Sequence, residues 1–416
     1  MKHIAWASPL PPTPSGIADY SLEIINAIVT KSRNVRITCV LDEYDEYPCL
    51  GLDFSALRPE INYVSTRHFV HNLIAEKDSY DAVIVQLGSS KYHVYQYALL
   101  AQLQLLGYPR ERIHVVVHDY PLAVAPYALS QTPHRFAFWL YYQQRLIAER
   151  ISAEDAALLM RVAYNVESEK AELNYILASS ALDAAKHVYT HHPEIVRLLK
   201  VYADVEAKVF ALGAQRLFAR AQVSARELLS DYLRLEHQNE KLYVIGIFGY
   251  IAPNKRVEEA VQLALAIREA RKERTLILLV GEIVEQYKNT FAIPNAPDVY
   301  HFSGVSPEQW HFLMNACDLG IQFRDDKVNA ASRVVAQWLA YHKPVLVSDT
   351  LRPYWCTLPY QNDRIDTLLQ AALCVDKQQS DWQKIWEYDA FEQETVPMYL
   401  KIIEELDDDT TVYTPY

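Results

Sequence analysis

The chain has 416 residues, half of them hydrophobic and 22% charged, with a formal net charge of −12. That balance fits a soluble globular protein of two or three domains and argues against the broad basic face that generic nucleic-acid binding needs. Membrane spans are not expected, because no apolar run reaches the roughly 18 residues required.

The opening MKHIAWASPL enters a strand-like segment without the apolar core of a signal peptide. Candidate strands in the first half are His3–Ala7, Val35–Val40, Ala82–Gln86, Ile113–Val117, His187–Thr190 and Lys208–Leu212. Helical patterns intervene at 17–30, 92–106 and 193–200. Residues 132–185 differ: a long helical stretch begins with HRFAFWLYYQQRLIAER and reads as an insertion. Its stripe Phe136, Trp139, Leu140, Leu146 has the spacing of a packed helix face, with a lipid or partner helix as the other reading. A polar segment, 224–241, separates the halves.

Alternation then restarts: strand 242–248, helix 255–271, strands 275–280 and 299–303, helix 307–316, strand 319–323, helix 332–341, strand 344–348. Short apolar runs alternating with helices indicate parallel sheets built from βαβ units. Ser306, Pro307 and Gln309 spell a capping box at a helix start. Val257, Ala260, Val261, Ala264 and Ile267 form one apolar stripe. Trp382, Ile385 and Trp386 mark an amphipathic helix near the end. The domain plan is 1–222, with the insertion, then 223–385, then 386–416 as a helix crossing back and a tail. The acidic stretches 42–46 and 407–409 read as solvated loop and tail.

Five cysteines (Cys39, Cys49, Cys317, Cys356, Cys374) are odd in number and form no CxxC pair. They suggest a reduced, cytoplasmic chain with neither a zinc site nor a disulfide framework. His191-His192 is adjacent, not i,i+4, and so is a poor metal motif; Asp325-Asp326 reads as loop.

The segment FGYIAPNKRVEEAV, 248–261, places Lys255 and Arg256 at a helix start, where the dipole favours anions. An exposed turn is one explanation. A phosphate site, where backbone N–H groups and a Lys meet a ligand's charge, is the other. His118 follows a strand and stands beside Asp119; packing and proton transfer are both open to it. Tandem α/β domains place a ligand cleft at the carboxyl ends of their strands.

Several stretches, in order, resemble the family 4 glycosyltransferases: SPLPPTPSGIADYS (8–21), VIVQLGSSKYHVYQYALL (83–100), HVVVHDYPL (114–122), GIFGYIAPNKRVEEAV (246–261), FSGVSPEQWHFLMNACDLGIQFR (302–324) and QWLAYHKPVLVSD (337–349). The resemblance implies an α/β protein of GT-B fold, two Rossmann-like doubly wound domains with a cleft between them. It implies transfer of a sugar, with retention, from a UDP- or GDP-sugar to a glycan or lipid-linked acceptor. No cofactor or obligatory metal is implied, since helix N-termini and a Lys or Arg can meet the departing diphosphate. By that resemblance Gly16, Lys255 and Arg256 face the diphosphate, Gly304 and Val305 the base, Asp19 and His93 the acceptor, and His118 is catalytic. Peripheral contact with the inner membrane face and a partner glycosyltransferase are compatible with it.

One departure stands out. The family's Glu-x7-Glu motif falls on KVNAASRVVAQWLAYHKPV, 327–345, where neither carboxylate is present. The ribose position falls on Gln337 and the sugar position on Asn329 or Ala330. Ser332 fits, while Arg333 stands where a Gly is expected. Gln337 offers a neutral hydrogen bond, roughly half the strength of a charge-assisted one. The alternative function is therefore a catalytically silent GT-B-like binding or scaffold protein, or else other nucleotide-sugar chemistry such as epimerisation.

Overall fold

The computed structural model describes residues 1–42, 60–120 (77 and 89 excepted), 182–216, 222–235, 242–325, 329–351, 353, 356, 358, 362, 364–374 and 379–406. The expected insertion lies outside the described residues up to 181, with Phe136, Trp139, Leu140 and Leu146. So do 43–46, Asp326 and 407–409. Two compact units result: Met1–Phe210 with Glu394–Tyr416, and Ala211–Gln393.

Among the described residues the first unit is built on seven parallel strands: β1 (Lys2–Ala7), β2 (Val35–Leu41), β3 (Ile61–Ser65), β4 (Ala82–Leu87), β5 (Ile113–Val117), β6 (His187–Thr190) and β7 (Ala207–Val209). Their order is β3-β2-β1-β4-β5-β6-β7. Register is set by pairs such as Ile4↔Ile37, Ala5↔Val83 and Val115↔Val188. The central strands are buried on both faces, as the continuous apolar runs require. Helix α1 (Gly16–Lys31) follows β1, and Ser15 caps it by accepting from the Ile17 amide. The pair β3 and α2 (Thr66–Ala75) was not read from sequence: β3 is mostly half-buried and lacks the apolar run that marks the central strands.

The second unit carries five parallel strands: β8 (Leu242–Phe248), β9 (Arg274–Val280), β10 (Val299–Phe302), β11 (Leu319–Gln322) and β12 (Val345–Val347), in the order β10-β9-β8-β11-β12. Its helices among the described residues are 222–232, 257–270, 307–316, 333–340, 365–374 and 379–386. All five stripe residues of the helix Val257–Ala270 are buried, and the capping box at Ser306 is formed. Gly246 and Gly320, register partners on β8 and β11, make room for the Trp338 indole on helix Arg333–Ala340. The amphipathic segment divides. Trp382 and Trp386 pack within the second unit, while the helix Val396–Glu405 packs on α1 in the first. Among the described residues no helix is long and apolar enough to cross a membrane.

Candidate functional site

In each sheet the chain leaves the central strand to one side and returns on the other, so a topological switch point lies at β8/β11 and another at β1/β4. Ligands of open parallel sheets bind at the carboxyl ends of strands beside such points.

At the second unit's carboxyl edge, β8 is followed by Gly249, whose φ of 115° suits glycine. Its amide donates to Val280 O at 2.9 Å, tying it to β9. A single 3-10 turn, Pro253–Lys255, follows, and Arg256 in the left-handed region opens the helix. The Asn254 carbonyl accepts from the Asp325 amide at 3.0 Å, so this turn abuts the exit of β11. A side chain added at Gly249 would sit 3.8 Å from Val334 Cγ2, which places the first turn of helix Arg333–Ala340 over the β8 turn. Ser332 caps that helix, its Oγ accepting from the Val335 amide at 3.3 Å. By helix geometry the opening N–H groups find no acceptor within the helix, and they lie on the same edge as Lys255.

The two adjacent cations are not equivalent. Arg256 forms a fork with Glu259 (2.9 and 2.6 Å) and lies 5.5 Å over the Phe323 ring, so its charge is met within its own helix turn. Lys255 is half-buried at the turn itself. Arg324, a cation sequence reading did not single out, is buried at the end of β11. It donates from Nη1 to Ala330 O (3.2 Å), and its amide donates to Ser348 Oγ (3.0 Å). Gln337 is also buried, its side-chain oxygen accepting from the Trp310 indole at 3.2 Å. Arg333 is half-buried at the helix start and helps, after burial, to hold His311 down to about 4. The side chain of Asn329 lies outside the described residues. Gly304 is exposed after β10, its amide donating to the carboxylate of Glu282, a second residue not singled out from sequence; Val305 follows, half-buried.

At the first unit's carboxyl edge, Gly16 and Asp19 are exposed in the opening turn of α1, where the carboxylate suits the dipole. His93 is buried; its Nδ1 lies 3.1 Å from Gln86 O and 3.0 Å from Gln96 Oε1, and its Nε2 lies 3.5 Å from Ser15 Oγ. Burial holds it down to about 4, so it is neutral at pH 7. His118, at the end of β5, is buried with Nε2 2.8 Å from Gln86 Oε1. Thus Gly16, Asp19, His93 and His118 share one edge of the first unit, and Lys255, Ser332, Arg333, Gly304 and Val305 share one edge of the second. Among the described residues no group of three or more His, Cys, Asp or Glu could hold a metal ion.

No protein-family model and no curated protein matches the chain. Solved structures do. HepE from Anabaena, in complex with UDP and glucose, is 14% identical with a TM-score of 0.60, over 98% of this chain and 100% of that one. WaaG, a glycosyltransferase involved in lipopolysaccharide biosynthesis, is 12% identical (TM-score 0.57, 98% and 100% covered). The catalytic domain of starch synthase IV from Arabidopsis thaliana, bound to ADP and acarbose, is 11% identical (TM-score 0.63, 98% and 99%). At such identity the likeness speaks for the fold alone, and the fold is GT-B.

Proposed function

We propose that the chain is a nucleotide-sugar-dependent glycosyltransferase of the family 4 type. It moves a sugar from a UDP- or GDP-sugar to a hydroxyl on a glycan or lipid-linked acceptor, with retention and without an obligatory metal. The observation that carries this reading is the second unit's carboxyl edge. There the Gly249 turn, Lys255 and the start of helix Arg333–Ala340 come together beside the switch point. Backbone N–H groups at a helix start and a Lys are the donors a departing diphosphate needs. The bound UDP and glucose of HepE, and the ADP and acarbose of starch synthase IV, support a nucleotide and a sugar as ligands.

In this account Lys255 and the opening amides of helix Arg333–Ala340 hold the diphosphate, and the backbone at Gly304–Val305 meets the base. Arg256 is a lesser candidate, being paired with Glu259. On the first unit, His118 accepts a proton or hydrogen-bonds a sugar hydroxyl, and Gly16 lets backbone approach a phosphate closely. Asp19 is on the acceptor side, while His93 acts from behind the α1 start.

One observation favours a second reading, a nucleotide-sugar-binding module that does not turn over. The side-chain oxygen of Gln337, which stands where the family resemblance expects a carboxylate, already accepts from the Trp310 indole. Incubation with a panel of UDP- and GDP-sugars, with and without glycan and lipid-linked acceptors, separates the two. Nucleotide release is expected of the enzyme; donor binding without release establishes the module; absence of any binding rejects both.

A further inference from the structure

Gln86 lies near the carboxyl end of β4 with its side chain fully buried. Its amide oxygen is 2.8 Å from His118 Nε2, and its amide nitrogen donates to the Tyr399 hydroxyl at 3.1 Å. Tyr399, on the helix Val396–Glu405, is itself buried, with its hydroxyl 3.1 Å from that of Tyr20. The Gln86 backbone carbonyl faces His93 Nδ1. One residue therefore meets two histidines, by side chain and by backbone.

The proton positions follow from the acceptors. An amide oxygen has no hydrogen to give, so the hydrogen of the Gln86–His118 bond belongs to Nε2. A neutral imidazole carries one N–H, which makes Nδ1 of His118 the basic nitrogen. Both partners of His93 Nδ1 are oxygens, so His93 is the opposite tautomer, with its Nε2 lone pair toward Ser15. The Tyr399 hydroxyl lies 3.1 Å from the Gln86 amide nitrogen and 3.3 Å from its oxygen, and Tyr20 holds Tyr399 in place, so the amide is tethered beside the His118 ring.

We infer that Gln86 is a positioning residue that holds His118 as the Nε2–H tautomer with Nδ1 as the proton-accepting nitrogen, and that Tyr399 on the C-terminal helix tethers the amide beside it. Among the described residues, the titratable groups around the His118 ring include Tyr20 and His191, at 5.1 and 5.0 Å between centroids, with Tyr399 behind Gln86 and Asp119 next in the chain. The catalytic consequence rests on the glycosyl-transfer reading; the tautomer does not.

Long-range 1H–15N correlation spectra of the full chain, labelled at histidine nitrogens, test this without any assay of activity. The wild type is expected to show neutral His118 protonated at Nε2. Gln86→Glu would place a buried carboxylate on that N–H and raise the His118 pKa by about one unit or more. In an active protein the acid limb of the pH–rate profile moves up with it. Neutral His118 protonated at Nδ1 in the wild type, or a His118 titration unmoved in a folded Gln86→Glu variant, would overturn the inference. Absence of turnover beside the expected tautomer counts against glycosyl transfer and leaves the positioning role supported.

Discussion

Substitution of Gly320 by Ala tests how the second unit brings a helix start to its ligand edge. The added methyl would lie 2.5 Å from Trp338 Cε2, 2.7 Å from Cδ2 and 2.8 Å from Nε1, all far inside contact distance. The indole cannot swing away into solvent, because Trp338 is fully buried and packs edge-on against Phe248. Across the strand, Gly246 gives no relief, since its own Cβ would meet the same ring at 2.8 Å. Overpacking of this kind costs about 1–3 kcal/mol. For a unit of this size that is a fall in Tm of about 2–4 °C per kcal/mol. Thermal and urea unfolding of Gly320→Ala, Trp338→Phe and the double variant measure it as a cycle. Gly320→Ala should cost less by about 1 kcal/mol or more in the Trp338→Phe background, where the fused ring is gone. Equal losses in both backgrounds would refute the packing argument, as would no loss at all.

Other substitutions have equally definite outcomes. His118→Ala in an active protein should abolish most turnover while leaving donor affinity nearly unchanged; full turnover removes His118 from the chemistry. Lys343 is buried and donates to the Asn315 carbonyl at 2.9 Å, and burial pushes its pKa from 10.5 down to about 7. Between pH 7 and 10.5 the unfolded chain binds the proton that the folded chain lacks, so this group adds stability as pH rises. Lys343→Met should remove that slope, seen as the difference between variant and wild type in urea midpoints at pH 7 and 9.5; parallel curves would contradict it. Burial also holds His93 at about 4, His114 at about 3 and His311 at about 4. All three favour the folded state above 6.5 and lose that stabilisation as pH falls toward 4. His114→Leu should flatten the acid limb by one proton's worth, because it removes a group whose protonation burial disfavours in the folded state; an unchanged limb would exclude it.

What could be read from sequence follows from how local each feature is. The β8 run, its glycine turn and the capped helix at 307 are specified within a few residues, and the structure places them within a residue or two of the expected bounds. The Arg256–Glu259 pair is an i,i+3 contact that the same stretch already contains. β3 and α2 were missed because a mostly half-buried edge strand carries a weak apolar pattern. The Gln86–Tyr399 bond joins residues 313 positions apart, and no periodicity announces such a pair. Arg324 and Glu282 matter only once parallel strands bring their carboxyl ends to one edge. Gln337 is legible in the sequence as a neutral side chain, but the bond it accepts from the Trp310 indole required the packed helices.

Calorimetric titration of the full chain and of Lys255→Ala with UDP, GDP and their sugars tests the central claim most directly. A nucleoside diphosphate is expected to bind the wild type, and to bind the variant more than tenfold more weakly, about 1.4 kcal/mol. Equal affinity in both proteins, or no nucleotide bound by the wild type, would contradict it.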